Sequence, residues 1–81
     1  MNKDSQWSVR SAQDIGRAIG EIRRTSGLTQ QQLAEQTGLT RETLAQLEAG
    51  RTGRVIDQTL RLLRRLGANV TITFEGRDGK A

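Results

Sequence analysis

Two absences and one excess decide what chemistry this chain can do. It contains no histidine and no cysteine, so the usual general bases, thiolate nucleophiles and soft metal ligands are missing. No catalytic constellation, metal site or cofactor is expected. The excess is in cations: Lys and Arg number 13, nearly all Arg, against 9 acidic residues, for a formal charge of +4. The planar fork of arginine matches phosphate oxygens and the guanine edge. The side chains best suited to reading base edges lie between Thr40 and Ala49. With Leu44 and Leu47 turned inward, Arg41, Glu42, Thr43, Ala45 and Gln46 remain outside. Arg41 suits a bidentate bond to guanine, Glu42 an acceptor role toward cytosine N4, and Gln46 a pairing with adenine. Thr40 and Thr43 offer a hydroxyl to phosphate or a methyl to thymine. Glu42 fits least well, because phosphates repel a carboxylate that finds no donor; orienting Arg41 is its second reading.

Those side chains need rigid carriers. Thr29 is a fit N-cap for a short helix in which Leu33 and Ala34 share a face, and Gly38 ends it in the left-handed conformation. Leu39 is expected to cross the turn into the core, and Thr40 to cap the next helix, with Leu44 and Leu47 on one side. Ala34 is thin enough for two helices to cross steeply. Upstream, Ser11 and Asp14 open a helix whose Ile15, Ile19 and Ile22 make a core stripe, ending near Gly27. Gly16 and Gly20 cost that helix about 1 kcal/mol each against Ala, and together they shape a shallow groove. Before it, residues 1–10 form a mostly polar arm. In it, Trp7 and Val9 read as a lid over the first helix, with a partner surface as the second reading for Trp7.

Residues 55–66 make the last helix, with Ile56, Leu60, Leu63 and Leu66 inward and Arg61, Arg64 and Arg65 on the other face. That arginine face reads as solvated, or else as facing an acidic partner. Strict alternation then runs from Asn69 to Glu75, with Val70, Ile72 and Phe74 on one side, which is a strand. Read as the only strand of the chain, it would need a partner. The simplest is the same segment of a second copy, so Val70, Ile72 and Phe74 are the expected dimerisation residues. The division is therefore 1–10 arm, 11–67 helical domain, 68–75 dimerising strand and 76–81 flexible tail. The fold class is all-α in the main: a four-helix bundle plus one strand pairing across a homodimer. No run of about 18 apolar residues suits a membrane span. No signal-peptide pattern follows the first charges, so the cytoplasm, with attachment to the nucleoid through DNA, is the expected location.

The two central helices resemble a helix-turn-helix, whose second helix enters the DNA major groove. Leu28-Thr29-Gln30, Leu33-Ala34, Gly38-Leu39 and Leu47-Glu48-Ala49-Gly50-Arg51 narrow the likeness to the Cro/C1-type or XRE family, over roughly residues 11 to 67. That resemblance implies a compact bundle without catalytic activity. It also implies an ion pair between Arg23 and Glu48, a phosphate contact from Gln30, and a backbone-gripping loop that makes Arg51 and Arg54 phosphate candidates. Four helices followed by a strand further resemble the HipB family of antitoxins. By that resemblance the chain is a homodimeric repressor of its own operon, binds an inverted-repeat operator, and also binds a HipA-like serine/threonine kinase toxin. A stand-alone repressor without a toxin, and an interaction module that no longer binds DNA, are the alternatives.

Overall fold

The computed structural model of the protein describes residues 5–76. Of the arm and the tail expected from the sequence, residues 1–4 and 77–81 lie outside the described residues. Four helices, α1 (Ala12–Thr25), α2 (Gln30–Thr37), α3 (Arg41–Glu48) and α4 (Arg54–Arg65), stand between two short strands, β1 (Gln6–Val9) and β2 (Val70–Thr73). The architecture is mainly helical, as the periodicity predicts.

Local chemistry starts each central helix. Thr29 Oγ1 accepts from Gln32 N at 3.0 Å while Gln32 Oε1 accepts from Thr29 N at 2.9 Å, so two N–H groups at the helix start are satisfied reciprocally. Gly38, at φ 79°, closes α2 in the left-handed region, where a side chain would be strained. Thr40 Oγ1 then accepts from Thr43 N at 3.0 Å and starts α3. At α1, Ser11 Oγ accepts from Asp14 N at 3.4 Å. The shorter bond there comes from far along the chain, with Asp57 Oδ1 of α4 accepting from Ala12 N at 2.8 Å.

α3 packs against both α1 and α2. Gly16 makes the first of these contacts possible. A Cβ there would press into the carbonyl oxygens of Leu47 and Glu48, the latter at 2.5 Å, so the end of α3 occupies the groove the glycines leave in α1. The buried apolar residues are Val9, Ala12, Ala18, Ala34, Leu44 and Leu60. Ile15, Ile19 and Ile22 line the same side of α1 but are only half-buried.

Three expectations about packing need correction. The chain has a second strand: β1 pairs antiparallel with β2, Trp7 opposite Ile72 and Val9 opposite Val70, and Phe74 N donates to Ser5 O at 3.0 Å. One edge of β2 is thus filled from within the chain, which removes the argument that it must seek a second copy to be paired at all. Opposed residues share a face, so Val70, Ile72 and Phe74 lie with Trp7 and Val9 on one side of the sheet. Leu39 does not enter the core and stays 41% exposed, held at the surface by the turn it follows. Leu66 is 73% exposed, because six residues past Leu60 it points about 120° away from it around the helix.

Candidate DNA interface

The first turn of α3 is held by a chain of polar contacts that begins in α1. Arg23 Nε and Nη2 donate to Glu48 Oε2 and Oε1 at 2.7 and 3.1 Å, a fork-to-fork pair, and Arg23 Nη1 donates to Leu28 O at 2.9 Å. The two side chains are 11% and 9% exposed, so the pair is nearly dry and geometry decides its worth. Gln30 Nε2 donates to Glu48 Oε1 at 3.1 Å. An amide has one donor end and one acceptor end, so this bond fixes the other end as Oε1, which accepts from Arg41 Nη1 at 3.1 Å. α1, α2 and both ends of α3 are therefore linked side chain to side chain: Arg23, Glu48, Gln30, Arg41.

Burial alone would raise the Glu48 carboxyl. Hydrogen bonds from Arg23 and Gln30, with the charges of Arg23 and Arg24, outweigh it and hold the group below its ordinary value. Glu48 stays ionised, and the chain of contacts keeps its direction.

The remaining expected contacts distribute as follows. Thr40 and Thr43 are bonded to each other, Oγ1 to Oγ1 at 2.9 Å, and the Thr40 oxygen also caps α3. Glu42 and Gln46 are exposed beside Arg41 on the outer face of α3. Among the described residues Arg41 is oriented by Gln30, in place of the Glu42 role considered from sequence. Gln30 is half-buried and engaged at both ends of its amide. Arg51 and Arg54 are exposed in the loop after α3 and at the start of α4. Gly53, the N-cap of α4, supplies no side-chain bond.

Two residues outside the expected set tie α4 to the segment that leads into α1. Asp57 caps α1, and Arg64 Nη1 donates to Arg10 O at 2.6 Å. Arg64 is thus a tether between α4 and the segment after β1, and is not simply one of a solvated row. The sequence separations, 45 and 54 residues, put both beyond any local pattern. Among the described residues no cluster of His, Cys, Asp or Glu could hold a metal ion, and no helix is long and apolar enough to cross a membrane.

A family model described as a helix-turn-helix domain matches residues 14–71, more than half of the chain. The match runs from the first turn of α1 into β2. No curated protein and no solved structure matches the chain.

Proposed function

The chain belongs to the helix-turn-helix domain family, and from that premise we propose that it is a sequence-specific transcriptional repressor of the XRE type. The observation that carries this reading is the pinned Arg41. A guanidinium held by Gln30 at the start of an exposed, polar α3 is pre-ordered for a guanine edge in the major groove. Thr40, Glu42, Thr43 and Gln46 complete the base-reading face. Arg51 and Arg54 grip phosphate. Gln30 reaches phosphate only by exchanging one of its present partners, so its first role is to set the angle of Arg41.

The repressor acts as a homodimer on an inverted repeat, with two α3 helices in successive major grooves. It further serves as the antitoxin of a HipBA-like operon, where it binds a HipA-like kinase. Size, the four-helix core followed by β2, and the Ser11-to-Gly27 helix leading into Leu28-Thr29-Gln30 are what support that reading. Selection of bound duplexes from a random pool tests the DNA function, and an enriched inverted repeat is the expected result. A pool that stays random at every salt concentration would overturn it and favour an interaction module. Co-purification with the products of neighbouring genes tests the antitoxin role, which fails if the chain emerges without a kinase-like partner.

A further inference from the structure

The segment after β1, the start of α1, the end of α3 and one face of α4 enclose a cavity of about 370 Å³, a size that holds small ligands. Three arginines line it: Arg10 from the segment after β1, and Arg61 and Arg64 from α4. Arg61 and Arg64 lie about 60° apart around α4, with Asp57 between them. Asp57 is the one carboxylate on the wall, and its Oδ1 already accepts from Ala12 N. Although Asp57 and Arg61 are one helical turn apart, no ion pair joins them among the described residues.

The other two cations are no better neutralised. Arg64 donates to an uncharged acceptor, Arg10 O. Arg10 uses its main-chain N–H and carbonyl, and its side chain makes no hydrogen bond among the described residues. Three cations against one anion leave the wall two charges positive, and guanidinium groups gathered round one space repel each other until an anion enters. The floor is fixed: a Cβ on Gly50 would come within 2.7 Å of Gln13 Cγ and 2.8 Å of its Cα, so the two segments meet backbone to backbone.

We propose that this cavity binds the phosphate monoester group of a small molecule. Such a group carries about −1.5 to −2 charges and three acceptor oxygens, one for each guanidinium and a match to the excess charge of the wall. A carboxylate or a backbone diester of DNA has two free oxygens and a single charge, and leaves one guanidinium unanswered. Ser11 adds a hydroxyl on the same wall, its present bond a long one of 3.4 Å from Asp14 N. The occupant fastens α4 to the segment before α1, where Asp57 and Arg64 already join them. The site is apart from the base-reading face and does not depend on DNA binding.

Isothermal titration of the full chain with inorganic phosphate tests this, at about pH 8, where phosphate is mainly the dianion, and at constant ionic strength in chloride. Arg61→Gln and Arg10→Gln each remove a charge from the wall and break no hydrogen bond among the described residues. Each should weaken phosphate about tenfold, whereas Arg65→Gln, the same loss of charge on α4 outside the cavity, should change it by less than about twofold. Far-UV circular dichroism checks that each variant is folded. Dimethyl phosphate, a singly charged diester, should bind at least about tenfold more weakly than phosphate. A wild type that takes up no phosphate, or takes it up no better than Arg61→Gln and Arg10→Gln do, would overturn the site. So would an Arg65→Gln protein weakened as much as Arg61→Gln, since net charge alone would then attract the anion. A diester that binds as tightly as phosphate would overturn the monoester assignment in favour of a DNA-backbone contact.

Discussion

The two sides of this small protein are finished to different degrees. On the reading side, α1, α2 and α3 are locked by polar bonds that run from Arg23 to Arg41 and by a backbone contact at Gly16 so close that no side chain fits. On the other side, α4 turns three aliphatic side chains to solvent and is tied to the N-terminal segment by one carboxylate and one guanidinium. The contrast separates two requirements of the proposed repressor. Reading a base edge needs one side chain held in place, and Arg41 is so held within a single chain. Spacing two such readers would need a second chain.

The sharpest way to break the comparison is at Gly16. Gly16→Val drives a branched side chain into α3 carbonyls that cannot move without the helix. A loss of about 3 kcal/mol or more is expected, seen as a fall in Tm of at least about 12 °C. A Tm unchanged within error would mean that α3 is not seated in α1.

Next in size is Glu48→Ala, which leaves the Arg23 guanidinium nearly dry and unpaired. The expected loss is about 3 kcal/mol, the low end for a broken buried pair because Arg23 keeps some access to water. The same carboxylate sets an acid limit. Its pKa in the folded chain lies below the ordinary 4.5, so its contribution is complete above that value and is lost as pH falls through the folded pKa. Glu48→Gln should flatten the stability profile below about pH 4.5; a profile that falls as steeply as the wild type's would place the acid-sensitive group elsewhere.

Arg41→Ala comes third and touches binding only. It should cost about 1–3 kcal/mol on the preferred operator and relax preference at one base pair, whereas Arg54→Ala should weaken all sequences alike and lower the salt slope by about one. Binding curves on operator and scrambled duplexes separate the two. An Arg54→Ala protein with a changed preference would move that residue from phosphate to base.

The smallest effect belongs to the open side. Leu66→Gln, at dilutions where the chain is monomeric, should change stability by less than about 0.5 kcal/mol, as surface substitutions do. A loss several times larger would mean that Leu66 is part of the core of the single chain.

How legible each side was follows from range. Thr29, Gly38 and Thr40 act within four residues of themselves, and their caps and turn were readable as such. The Arg23–Glu48 pair spans 25 residues and was reached only through resemblance. β1 escaped because four residues, Gln-Trp-Ser-Val, alternate too briefly to stand out. That omission made β2 look solitary and gave the argument for pairing with a second copy more force than it has. Leu66 was misplaced by extending a three-and-four spacing past the end of α4. The roles of Asp57 and Arg64 depend wholly on which helix ends meet in space, and no local pattern announces that.

The sheet carries one more consequence, for the order of folding. Gln6 lies opposite Thr73, so β1 and β2 cannot pair until nearly the whole described chain is available, and closing so long a loop is slow and costly in entropy. The contacts that hold Arg41 all lie between residues 23 and 48, so their formation does not wait on β2. The sheet is therefore a latch set last and opened first, and amide exchange should find its hydrogen bonds the least protected in the molecule.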